Sequence, residues 1–310
     1  MADKSAIEWT DATWSPVTGC DPISAGCKHC YAKREVETRW SKNPKSEWFG
    51  RPFNDVRCHP EKLAGARSPL TWKRPRRIFV CPRADLFHEA VPVEFIAQVF
   101  AVMARCPQHT FQVLTKRARR MQFVLWSELD WEPLPNVWLG VSVEDQDTAN
   151  TRIPLLLQTP AALRWISAEP LLGKVDLSRW LSANALHEID GGPRVGWIVA
   201  GGESGPKARP MQGDWARGLR DQCAAAGVPF LFKQWGEWID ADQADNEAKD
   251  ALWRNRSHFE MRDAGLIADI PPKPPGPPHF ACNYTIRLKK KAAGRLLDGV
   301  LHDEYPEARR

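Results

Sequence analysis

No stretch of this chain approaches the roughly eighteen consecutive apolar residues that a membrane span needs, and the opening MADKSAIEWT carries no apolar core of a secretion signal. A cytoplasmic protein with no membrane partner is the expectation. Of the eight cysteines, only Cys20, Cys27 and Cys30 lie close together, while Cys58, Cys81, Cys106, Cys223 and Cys282 are scattered singly. Such a distribution excludes the dense disulfide framework of a small secreted domain and fits a reducing compartment. A second C-x-x-C knuckle, which would close a structural zinc site, is absent. The glycine-rich loop AGGESG lacks the Lys-Ser/Thr ending of a phosphate-binding P-loop.

What is present starts with bulk. The 310 residues, 43% of them hydrophobic, can bury one large core with an appended tail. A net charge of +5 and a pI near 8.8 are compatible with a polyanionic partner, though a mild surplus also serves solubility.

The stretch WSPVTGCDPISAGCKHCY, from Trp14 to Tyr31, gathers Cys20, Cys27 and Cys30 in a C-x6-C-x2-C run within one Gly- and Pro-punctuated loop. Thiolates select zinc or iron–sulfur centres over hard cations. His29 or His59 could complete a zinc site, but neither belongs to a partner knuckle. Three cysteines alone can hold three irons of a [4Fe-4S] cluster and leave the fourth open to a small ligand.

Beyond that loop the pattern is alternation. Trp9 to Thr18 reads as a short first strand, and Ala32 to Trp40 as a helix after the cysteines. From Asn43 to Arg76 periodicity is lost among Pro, Trp and basic residues, as in an insertion. Apolar runs then recur at Arg77 to Cys81, Thr110 to Thr115, Asn136 to Val143, Ala162 to Ala168, Gly196 to Ala200 and Val228 to Lys233, the last preceded by a helix over Trp215 to Ala226. Near-continuous apolar strands alternating with helices predict an α/β fold, a partial or complete (β/α) barrel, with the partial form favoured.

In such a fold the active site lies at the C-terminal strand ends. Polar residues cluster there: Arg83, Asp85 and His88; Thr115, Lys116 and Arg117; Ser142, Glu144 and Asp145; Ser167 and Glu169; Glu203 and Ser204; Lys233 and Gln234. Each strand-end carboxylate also has a plainer role as a helix cap or a charge complementing a helix dipole.

The runs GCDPISAGCKHCYA, FVCPRADLFHE, FQVLTKR, VWLGVSVED, WISAEPLLG, AGGESG and FKQWGEW together resemble the phage Gp37/Gp68 family of three-cysteine proteins, which is similar to radical S-adenosylmethionine (SAM) enzymes. The likeness runs from about Trp9 to about Pro306. It implies a barrel of the radical SAM type, a [4Fe-4S] cluster on Cys20, Cys27 and Cys30, SAM as cosubstrate and an external electron donor. The same resemblance implies His29 near the adenine, Asp85 at the SAM amino group, and Ser142 with Glu144 at the ribose. Lys116, Glu169 and Glu203 join them as cofactor-site candidates by their strand-end positions, and no catalytic side chain is singled out. Two features depart from the usual pattern. Six residues rather than three separate Cys20 from Cys27, and the GGE of AGGESG falls at the sixth strand rather than the second.

On this reading residues 1–239 form the barrel and 240–310 a C-terminal extension. Within the extension, Asp240 to Asp269 is charged and helix-prone, 271–278 (PPKPPGPP) is a stiff linker, and Thr285 to Leu301 is a basic amphipathic helix. The function expected is reductive SAM cleavage followed by hydrogen abstraction from a substrate such as a nucleoside, nucleotide or nucleic acid. The alternatives are a non-catalytic zinc or iron–sulfur protein that binds nucleic acid through its basic tail, and an iron–sulfur redox module or partner protein without SAM chemistry.

Overall fold

The computed structural model describes residues 5–129, 131–181, 194–240, 242–244, 259–261 and 284–306. Seven strands make one parallel sheet, in the order β1 (Ala12–Trp14), β4 (Arg77–Val80), β5 (Thr110–Thr115), β6 (Val137–Ser142), β7 (Leu163–Ala168), β8 (Trp197–Gly201) and β9 (Phe230–Gln234). The sheet curls into a half-barrel, the partial form. Between β1 and β4, the short strands β2 (Val17–Thr18) and β3 (Arg57–Cys58) pair antiparallel and bracket the cysteine loop.

The chain crosses between strands through helices on the outer face. After α1 (Tyr31–Glu35), which winds on to Trp40, come α2 (Val93–Ala104), α3 (Ala118–Phe123), α4 (Gln146–Gln158), α5 (Ser178–Leu181) and α6 (Gly213–Ala226). Local chemistry sets their ends. Asp145 caps α4 in a reciprocal box with Thr148, its carboxylate accepting from the Thr148 N–H at 2.9 Å. Gly227 closes α6 at φ +63, a left-handed position that glycine adopts without strain.

Strand alternation sorts side chains onto two faces. Ile78, Val80, Phe111, Val113, Leu139 and Val141 point outward into the main core beneath the helices. Phe79, Trp138, Trp165, Trp197 and Leu231 point inward, where Trp9 packs its ring 4.6 Å from Phe79 and 5.1 Å from Trp165. A Cβ on Gly140 would lie 2.5 Å from the Trp165 indole, so only glycine lets that ring cross β6. Indoles therefore fill the lower part of the barrel interior. Further along the strands the same inward register brings up Ser142, past Gly140, and Ser167 and Lys233, two residues beyond Trp165 and Leu231.

The C-terminal segment returns to this body. Strands β10 (Trp238–Asp240), β11 (Phe259–Met261) and β12 (Tyr284–Arg287) form an antiparallel sheet in the order β10-β12-β11, and β13 (Leu296–Leu297) and β14 (Val300–Leu301) a hairpin. The helix expected over Thr285 to Leu301 is thus corrected: it is a strand, a helical turn at Lys290–Ala293 and a hairpin. β-branched Thr285 and Ile286 pair with β10, while Gly294 and Gly299, both at positive φ, interrupt any helix. The tail covers the β9 edge, with the Phe232 N–H donating to His302 O at 2.9 Å. Tyr305 stacks 5.5 Å from Trp197 and closes the barrel floor. Residues 271–278, and most of Asp240 to Asp269, lie outside the described residues. Among the described residues, no helix is long and apolar enough to cross a membrane.

Candidate active site at the mouth of the half-barrel

The cysteine loop folds over the C-terminal ends of the strands, and Cys20, Cys27 and Cys30 all line one cavity of about 650 Å³. Side chains from distant strands hold it there. Glu144, at the end of β6, accepts from Ser24 Oγ at 2.9 Å and from Arg152 at 3.2 Å, and is ion-paired to Lys116. A Cβ at Gly26 would sit 2.6 Å from that carboxylate, so the loop approaches Glu144 as closely as glycine permits. A second tether starts from Glu203, which grips Arg209 through both oxygens at 2.7 and 2.9 Å, and Arg209 donates to Ala25 O at 2.9 Å. On the third side, Arg117 reaches Cys20 Sγ at 3.5 Å and Asp21 O at 3.3 Å. His88 Nε2 lies 3.2 Å from Asp21 Oδ2.

Burial governs the electrostatics. It pushes the Cys20 thiol up to about 12, reinforced by the Asp85 carboxylate and opposed by the Arg117 guanidinium. Burial raises Cys30 as well. At Glu144 burial also disfavours the charge, but Lys116 and Arg152 more than offset it and hold the carboxyl below its ordinary value. Asp85 accepts from Thr115 Oγ1 at 2.7 and 2.9 Å and from the backbone N–H groups of Phe87 and Lys116. It ties the turn after β4 to the end of β5.

The expected residues divide into two groups. His29, Asp85, Lys116, Ser142, Glu169 and Glu203 line the cavity with the cysteines. Ser142 and Ser167 are register partners on neighbouring strands, both on its wall. Opposite, Lys233 Nζ grips Glu169 at 2.7 and 2.9 Å. Glu144, expected at a ribose, instead sits fully buried with its oxygens taken up by Ser24, Lys116 and Arg152. Its position two residues past Ser142 marks a strand end, not which way the carboxylate turns. Arg152 and Arg209 escaped the sequence reading and belong to no motif, while Ser24 lies within the cysteine motif without a role of its own. Only the close packing of loop on strand ends assigns the three a task.

The donor set discriminates between metal chemistries. Among the described residues, no three His, Cys, Asp or Glu side chains gather tightly enough to hold a single metal ion. His59, one candidate to complete a zinc site, is engaged by Thr18 at 2.8 Å and Glu61 at 3.1 Å. A cluster makes a different demand, because each thiolate binds its own iron and the sulfurs need only rim one space. Three cysteines on the wall of one cavity fit that demand.

Fold and site together define a partial (β/α) barrel with a three-thiol cavity at its mouth. Residues 4–306 match the family described as Protein of unknown function (DUF5131), and the chain belongs to that family. Searches of curated proteins and of solved structures return no match.

Proposed function

We propose that this chain is a radical SAM-type enzyme, with Cys20, Cys27 and Cys30 holding a [4Fe-4S] cluster and SAM occupying the adjoining cavity. The observation that carries the reading is the convergence of three thiols, His29 and five strand-end polar candidates on one space at the C-terminal face of a parallel half-barrel. The likeness to the phage Gp37/Gp68 family, itself similar to radical SAM enzymes, supports it. Cys20, Cys27 and Cys30 would hold the cluster, which would supply the one-electron reduction, drawn from an external donor, that splits the SAM C–S bond into methionine and a 5′-deoxyadenosyl radical able to take hydrogen from a substrate.

The chain's own residues bind, orient and exclude water. Arg117 donates to Cys20 Sγ and so favours its thiolate, the form a metal requires. Glu144 and the Glu203–Arg209 pair fix the loop that carries the thiols. Asp85 lines the cavity and adds its negative charge beside an amino group there, its oxygens already oriented by Phe87, Thr115, Lys116 and Arg117. Ser142 and Ser167 offer hydroxyls to a ribose, and His29 a ring to the adenine. Trp9 and Phe79, at the top of the indole layer, give the inner end of the cavity an apolar lining. The substrate class expected is a nucleoside, nucleotide or nucleic acid, and an external electron donor is required.

Anaerobic purification followed by a SAM cleavage assay tests the reading. Brown protein that contains iron and sulfide and forms 5′-deoxyadenosine after reduction is expected, with Cys27→Ala abolishing the product. Zinc in place of iron, or product formation that survives loss of all three cysteines, would overturn it.

A further inference from the structure

Of AGGESG the cluster reading uses only Glu203, and the geometry of the glycine turn beside it is specific. Gly202 runs against the Trp235 carbonyl, where a Cβ would lie 1.9 Å from the oxygen. At Gly205, with φ +116, a Cβ would lie 1.4 Å from Arg34 Nη1. Glycine at 205 therefore makes room for a guanidinium. Arg34 comes from α1, one turn after Cys30, and donates to Ser204 O at 3.3 Å. A second guanidinium meets the same turn from the other side: Arg287, at the end of β12, donates to Gly205 O at 3.4 Å and to Pro206 O. Its position is fixed by stacking 5.7 Å from the Trp238 ring.

Two guanidiniums thus bind neighbouring carbonyls of one turn, Arg34 that of Ser204 and Arg287 those of Gly205 and Pro206. Among the described residues, neither has a carboxylate within ion-pair distance, whereas Arg83, Lys116, Lys233 and Lys290 on the same cavity rim are each matched to Glu35, Glu144, Glu169 and Glu8. A guanidinium offers five N–H donors, and carbonyl contacts occupy only one or two of them here. The turn's own N–H at Gly205 donates to Glu237 Oε1 at 3.0 Å, which leaves the free guanidinium donors of Arg34 and Arg287 as the groups open to a further anion. Exposed Lys207 follows the turn directly. Arg34 and Ser204 lie on the cavity wall, so an anion bound by Arg34 borders the cavity.

We propose that Arg34 and Arg287, gathered around the Ser204–Pro206 turn, form the phosphate site of a nucleotide-bearing substrate. Planar guanidinium forks bind phosphate bidentately, which suits this pair better than it would suit lysines. The assignment deepens the enzyme reading by naming its substrate class, and it rests on that reading only for what the rest of the substrate does.

Binding to the protein as purified, with neither cluster nor SAM added, tests it. Titration calorimetry would compare nucleoside 5′-monophosphates, the matching nucleosides and a short mixed-sequence single-stranded oligonucleotide. The phosphorylated ligands should bind at least about tenfold more tightly than the nucleosides. Arg34→Ala and Arg287→Ala should each remove that preference, with Lys45→Ala, on an exposed distant turn, as the unchanged control. Tighter, steeply salt-dependent binding of the oligonucleotide identifies a strand as the source of the phosphate, and equal binding identifies a free nucleotide. Nucleosides binding as well as nucleotides, or either variant keeping the preference while folded by circular dichroism, would overturn the proposal. The variants lie on different elements, so one remains informative if the other does not fold. Failure of SAM cleavage with intact phosphate preference would sink the enzyme reading alone.

Discussion

Replacing Glu144 by glutamine asks whether charge holds the cysteine loop in place. The carboxylate is fully buried and binds Ser24, Lys116 and Arg152. In E144Q the shape survives and one oxygen still accepts, but Arg152, itself 7% exposed, loses its counter-ion. Breaking a fully buried ion pair costs roughly 3–5 kcal/mol. Here Lys116 can turn toward cavity water, and Arg152 keeps its 2.7 Å bond to Ser142 O, which places the expected loss nearer about 2–3 kcal/mol. For a chain of this length that corresponds to a drop of roughly 4 °C in Tm.

The pH dependence has a definite sign. The folded-state value of Glu144 lies below its ordinary 4.5, so the stabilisation is present in full above that value and disappears as pH falls through the lowered one. The gap between wild type and E144Q should be constant near neutrality and close in acid. Thermal unfolding from about pH 3 to about pH 8, with hydrogen exchange of the amides in residues 20–30, measures both effects without any metal. Loop amides should exchange faster in E144Q. Unchanged stability together with unchanged loop exchange would refute the clamp.

Other substitutions probe the rest of the frame. Gly140→Ala drives a methyl group against the Trp165 indole and should destabilise the barrel by about 1–3 kcal/mol in chemical denaturation, and a neutral result would mean the indole layer is loosely packed. Tyr305→Ala removes the stack on Trp197 and the Arg77 contact at 4.0 Å, and should cost about 2 kcal/mol while raising the exposure of Trp197 to a fluorescence quencher. Asp298→Asn loosens the hairpin from Arg217 and Arg220. These pairs are part-exposed, so the effect should stay within about 1 kcal/mol, present above the ordinary value of 3.8 and lost below the lowered one.

Much of this was written in local patterns. Alternating apolar runs and helix-like spacing located six of the seven sheet strands to within about two residues, because buried parallel strands must be apolar almost throughout. Cysteine spacing and strand-end position marked the thiols and the polar residues of the mouth for the same reason: short-range geometry requires them. Three things needed the third dimension. The Thr285–Leu301 segment follows strand pairing with residues nearly fifty positions away rather than its own helical propensity. Glu144 turns from the cavity to the loop because Lys116 and Arg152 arrive from other elements to neutralise it. Arg34 and Arg287 are far apart along the chain and reach one turn, Ser204–Pro206, only in the folded protein. Periodicity is a property of neighbours along the chain, whereas the pairing of buried charges depends on which distant segments the folded sheet brings into contact.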